Sequence, residues 1–152
     1  MSEKQVARAF AEFEVPVILV SLLNAREHWA TKARRARKQR EAARMCALSC
    51  TLFAEIAAAI ADGAPLVVTI TRIAPRQLDD DNLAGSAKHV RDGIADALGI
   101  DDRDARVQWR YAQAKERHPG CYTCRVRIEE APAGLAHATS TPASTGAASS
   151  PT

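Results

Sequence analysis

The sequence predicts an α+β fold, a mixed but mostly antiparallel sheet of about four strands packed on two main helical segments. Three observations predict it. Apolar and polar residues alternate with the two-residue period of a half-buried strand through Val107, Trp109 and Tyr111, and again through Tyr122, Cys124, Val126 and Ile128. Pro65 to Ile73 is a short apolar run of the length expected for a more deeply buried strand. Two alanine-rich stretches, about Trp29 to Asp62 and Leu83 to Leu98, repeat their apolar residues at helical spacing. Strands and helices intermixed along 152 residues make one core.

Each element has a local reason. Residues 1–13 are polar and read as a flexible start; residues 14–130 hold the folded domain. Val15 to Leu22 is the first strand candidate, and Asn24 to His28 a connection. The long helical stretch, broken or continuous, ends at Gly63 and Pro65, which stop helices. Its second half is expected to bury Leu48, Leu52, Ile56 and Ala59, with Phe53 and Ile60 alongside. Its first half has only a narrow stripe, Ala33, Ala36 and Ala43, among Lys32, Arg34, Arg35, Arg37, Lys38 and Arg40. Leu83, Ala87, Val90, Ile94 and Leu98 set the next helix, with Asn82 or Asp81 as its cap and Gly99 as its stop. Gly85 inside it costs about 1 kcal/mol relative to alanine. Lys115 to Gly120, with Pro119, is expected to turn a hairpin between the last two strands. Residues 131–152 contain no Asp, Glu, Lys or Arg and are rich in Ala, Ser, Thr and Pro, so they read as a disordered tail.

The most chemically pointed segment is Leu78-Asp79-Asp80-Asp81-Asn82-Leu83, with Lys88 downstream and Asp101-Asp102-Arg103-Asp104 after the helix. If Asp79 and Asp81 continue a strand, alternation points both carboxylates to one face and Asp80 to the other. Crowded carboxylates are costly unless a cation or proton compensates, so the pair invites a hard metal such as Mg²⁺. Lys88 lies two helical turns beyond Asp81 and can project on the same side. The bland alternative is a helix cap followed by an ordinary polar turn.

The string Arg76-Gln77-Leu78-Asp79-Asp80-Asp81-Asn82-Leu83, Lys88, Arg91-Asp92-Gly93-Ile94-Ala95-Asp96-Ala97-Leu98 and Asp101-Asp102 resembles the RusA family of Holliday junction resolvases, particularly its phage-borne members. The resemblance is strongest from about Thr71 to Asp104 and covers the folded core but not the tail. It implies a RusA-like fold and a nuclease site dependent on Mg²⁺ or Mn²⁺, with Asp79, Asp81 and Asp102 as metal ligands and Lys88 as a fourth catalytic group. The third acid can instead be Asp101 or Asp104. It also implies a homodimer, because four-way junctions are roughly two-fold symmetric.

The charge pattern agrees with a DNA substrate. Between Asn24 and Arg44 there are eight Lys or Arg against two Glu, whereas Asp79 to Asp104 holds eight acids against three cations. Basic runs neutralise phosphates and release counterions. Lys32, Arg34, Arg35, Arg37, Lys38 and Arg40 are therefore read as backbone contacts, with Arg76 and Arg91 nearer the scissile phosphate. A non-catalytic DNA-binding module explains the basic arm but not the acids, and a helix-rich partner-binding protein explains neither charge pattern. No apolar run approaches the ~20 residues of a membrane span, and the N-terminal residues lack the basic-then-apolar order of a signal peptide, so a cytoplasmic address in a bacterial or phage-infected cell is expected, with no membrane partner and no small-molecule cofactor. Cys46, Cys50, Cys121 and Cys124 admit a zinc site, but a strand over Cys121 to Ile128 sends Cys121 and Cys124 to opposite faces. Trp29 and Trp109 are read as core or interface anchors ahead of base-stacking platforms.

Overall fold

The computed structural model describes residues 9–21 and 26–132. The chain runs β1 (Ala9–Val15), α1 (Trp29–Leu48), α2 (Phe53–Ala61), β2 (Leu66–Ala74), α3 (Asp80–Ser86), α4 (Lys88–Leu98), β3 (Val107–Lys115) and β4 (Thr123–Glu130). The fold is α+β, as expected. Its four-stranded sheet has the order β1-β4-β2-β3; β4 pairs antiparallel with β1 and β2, and β2 pairs parallel with β3. β2 is central because its run of Leu, Val and Ile tolerates neighbours on both edges. Its Leu66, Val68 and Ile70 meet Val126, Ile128, Ile94 and Val90 in the core beneath the helices.

Three expectations are corrected. The first strand is Ala9–Val15, not Val15 to Leu22, so the ordered fold begins inside the expected flexible start. Pro16 lacks the N–H that would continue the ladder. Val17 and Leu19 still bury, but through other bonds: Gln39 Nε2 donates to the Ile18 carbonyl at 2.9 Å, and Arg72 Nε donates to the Leu19 carbonyl at 2.9 Å. Leu22, the first two residues of the expected connection (Asn24 and Ala25) and residues 133–152 of the tail lie outside the described residues.

The second correction concerns the hairpin. β3 and β4 are not paired; they flank β2 on opposite sides, and residues 116–122 pass over its end. Alternation identifies a half-buried strand but carries no information about which edge it joins. The third concerns the helix after the acids, which is two helices meeting at Ala87. The break follows Gly85-Ser86, a pair that commonly kinks helices, and Ser86 Oγ bonds back to the Leu83 carbonyl at 2.7 Å. α4 ends as expected at Gly99, whose φ of 68° suits a glycine. The long first stretch is also broken, with α2 turning from α1 by 94°, and at this break Leu48, expected to be buried, is exposed, while Ile56 and Ile60 are buried.

α1 lies across α4, and small residues bring them together. A Cβ on Gly93 would sit 2.2 Å from the Arg40 carbonyl oxygen, so only glycine fits this crossing. Ala43 and Ala47 are buried here. The alanine stripe therefore serves packing within the chain, while Ala33, farther along, is exposed. Among the described residues no single helix is long and apolar enough to cross a membrane.

Candidate nucleic-acid interface and acidic site

The parallel pairing of β2 and β3 determines where the acids lie. β2 leaves the sheet at Ala74, and the chain returns through α3 and α4 to begin β3 at Val107, which is paired with Leu66 at the other end of β2. Asp79 to Asp81 thus follow one end of the strand pair, and Asp101 to Asp104 precede the opposite end.

Local chemistry shapes the first group. Pro75 follows β2, and Asp79 caps α3: its Oδ1 accepts the backbone N–H of Asn82 at 3.2 Å and also the Asn82 side-chain amide. Asn82 Oδ1 in turn accepts the Ser21 hydroxyl at 2.9 Å. Asp80 and Asp81 occupy the first turn of α3, where negative charge complements the helix dipole. The expected strand alternation of Asp79 and Asp81 is therefore replaced by a cap and a helical turn, in which successive residues are about 100° apart. All three carboxylates are exposed.

The second group faces α4. Arg91 donates to Asp102 at 2.8 Å and to the Tyr111 hydroxyl at 3.1 Å. Burial opposes its charge, but Tyr111 and Asp102 more than offset this and raise its pKa. Its buried Nε has no hydrogen-bond partner among the described residues. Asp101 and Asp104 serve local turns, accepting the N–H of Arg103 and Arg106, and the Arg106 side chain draws the Asp104 pKa down to about 2. A groove of about 650 Å³ joins Arg40 of α1 to Lys88, Arg91, Asp92 and Asp96 of α4 and to Asp101 and Asp102. Lys88 bonds Asp92 at 3.1 Å, and the two-pronged Arg40–Asp96 hydrogen bond raises the arginine pKa and lowers that of the aspartate.

The structure thus brings together Lys88, Arg91, Arg40 and Asp102 in one groove, and leaves Asp79 and Asp81 outside its lining. Among the described residues no three carboxylate, histidine or cysteine groups gather closely enough to hold a metal ion. The three-acid Mg²⁺ set does not fit this arrangement. The four cysteines are free, with Cys124 buried in the core and its thiol pushed up to about 12.

One strand links the two acidic groups. Trp109, Tyr111 and Gln113 share a face of β3: the Trp109 indole donates to the Asp102 carbonyl at 3.0 Å, Tyr111 holds Arg91, and Gln113 accepts from the Leu78 N–H at 2.8 Å and donates to its carbonyl at 2.7 Å. Trp109 and Gln113 lie four residues apart, roughly 13 Å along the strand. Sequence reasoning missed Gln113, although a polar residue continuing the inward parity of Trp109 and Tyr111 was the available signal.

The basic arm is as exposed as its sequence suggests. Lys32, Arg34, Arg37, Lys38 and Arg40 of α1 and Arg76 after β2 are open to solvent, while Arg35 is half-buried and paired with Glu27. Comparison of the chain with protein-family models, with curated proteins and with solved structures found no match.

Proposed function

We propose that this protein is a structure-selective DNA endonuclease acting on four-way junctions, the activity implied by the likeness of its acidic motif to the RusA family. The observation that supports it best is the groove in which Arg40, Lys88 and Arg91 stand among carboxylates beside the exposed cations of α1. A surface meant only to grip DNA gains nothing from acids that repel phosphate. In this reading α1 holds the DNA backbone, Arg91 exchanges Asp102 for a phosphate oxygen, and Lys88 stabilises charge developing on the phosphate. Dependence on Mg²⁺ or Mn²⁺ enters the proposal from the resemblance alone, and Asp79, Asp81 and Asp102 enter it as acids needed for cleavage, not as one metal-holding set in this arrangement. A homodimer placing two sites on opposed strands and a location where branched DNA arises, the cytoplasm of a bacterial or phage-infected cell, are also part of the proposal.

A specific observation favours a second reading, a DNA-binding module without cleavage: Asp79 is engaged as a helix cap and Asp102 as the partner of Arg91. Cleavage of matched junction, flap and duplex substrates with Mg²⁺, with Mn²⁺ and with EDTA separates the two. The proposal expects metal-dependent cuts concentrated at the junction. Tight binding with no cut under any of these conditions favours the module.

A further inference from the structure

The twenty residues of α1 span about 30 Å, whereas the eleven of α4 span about 17 Å. Their close crossing lies at Arg40 and Ala43, so the first half of α1 runs on past α4. Steps of seven, seven and four residues place Trp29 on the same helical stripe as Ala36, Ala43 and Ala47, of which the last two are buried. At Trp29 that inward stripe has left the protein body, and the residue is 75% exposed. The indole is braced: the His28 ring lies 5.5 Å from it, tilted by 37°, and His28 Nδ1 accepts the Ala30 N–H at 3.3 Å.

One turn on, Lys32 enters the wall of a cleft of about 220 Å³ between α1 and the junction of α3 with α4. Val20 and Ala36 give it apolar surface, while Arg35, Gln39 and His89 add polar groups; among the described residues no carboxylate lines it, although Arg35 is held by Glu27 from outside the lining. It is smaller than the roughly 300 Å³ at which pockets for drug-sized ligands begin. Lys32 has no ion-pair partner among the described residues. Close to Trp29 in sequence, Arg26, His28, Thr31, Lys32 and Ala33 are exposed, and the one acid, Glu27, is paired with Arg35, a segment too polar for an apolar protein contact but suited to a polyanion carrying flat rings.

We propose that Trp29 and this cleft form a binding site for a short unpaired stretch of DNA. One base stacks on the indole face, and the phosphate of the next nucleotide lies at the mouth of the cleft against Lys32. Stacking of this kind tolerates any base, because every base presents a π-face.

The test is titration with a short oligothymidylate, and separately with duplex, in EDTA, followed by anisotropy and tryptophan emission. Trp29 and Trp109 are the only tryptophans, and Trp109 is half-buried with its N–H already bonded, so a quench reports on Trp29. The oligothymidylate is expected to quench emission. Trp29→Ala should abolish the quench and weaken single-strand binding by about fivefold or more, with duplex affinity and melting temperature unchanged, and Trp29→Phe should recover most of the affinity. Lys32→Gln should instead lower the slope of log K against log salt by about 0.7 for single strands. Unchanged single-strand affinity in Trp29→Ala, an equal loss for duplex, or a change of oligomeric state marking Trp29 as a subunit contact would each overturn the site. No metal or cleavage enters the measurement, so its failure is distinct from failure of the nuclease reading.

Discussion

At the scale of single residues, the identities that matter were visible but their bonds were not. Asp79 is legible as an acid before a helix; that it caps the helix while Gln113, 35 residues away, grips the preceding Leu78 depends on the parallel strand beside it. Both Gln113 bonds are partly buried, so Gln113→Ala should cost about 1–3 kcal/mol in denaturant unfolding and slow any cleavage, because the residue before the Asp79 cap is released. An unchanged unfolding midpoint would show that the loop holds without it. His89 gives a pH prediction. Burial, then the adjacent Lys88, lowers its pKa below the usual 6.5 despite the opposing pull of Asp92. The folded state thus binds this proton less readily than the unfolded chain. Its contribution is present above about pH 6.5 and is lost as pH falls through the lowered value. Urea midpoints should decline from pH 7.5 to 5.5, and less steeply in His89→Gln; identical slopes would assign the decline to other groups.

Elements were more legible than their partnerships. Helical spacing, Gly63 and Gly99 located both helical stretches, and two-residue alternation located β3 and β4. Pairing was hidden, because a register is written on two strands at once. β1 was missed for a related reason: Val15 to Leu19 alternates in burial like a strand, yet Pro16 takes it out of the ladder. Glycines test the helix layer directly. Gly93→Ala places a methyl group 2.2 Å from the Arg40 carbonyl oxygen and 2.9 Å from the Ala43 Cβ, so the roughly 1 kcal/mol gained in helix propensity is outweighed and a net loss of about 1–3 kcal/mol is expected. Gly85→Ala meets nothing within 4 Å and should stabilise by about 0.5–1 kcal/mol. Thermal unfolding of the pair checks this; equal effects would mean that the α1–α4 crossing is not close-packed.

Across the whole molecule, a basic arm and an acidic centre could be read from the sequence as separate, whereas folding divides the acids and brings Arg40 of the arm against Asp96. The parallel β2–β3 pair sends Asp79 and Asp81 to one end and Asp102 to the other, a consequence of topology that local spacing does not reveal. If α1 binds backbone phosphates, replacing Arg34, Arg35, Arg37 and Lys38 with Gln should weaken binding to every DNA shape and reduce the salt slope by about 0.9 per lost phosphate contact. An unchanged slope would make the arm merely solvated. The proposed activity itself rests on the acids, and asparagine substitution isolates their charge. Asn caps a helix about as well as Asp, so Asp79→Asn should keep α3 intact. The decisive measurement is single-turnover cleavage of a four-way junction in Mg²⁺, with parallel gel-shift titration, for the unaltered protein and for Asp79→Asn, Asp81→Asn and Asp102→Asn. The nuclease account predicts that the unaltered protein cuts and that each variant loses about 100-fold or more in cleavage rate while binding the junction as tightly or tighter, because a carboxylate that repels phosphate is gone. Full cleavage by Asp81→Asn, or no cleavage by the unaltered protein, would contradict it.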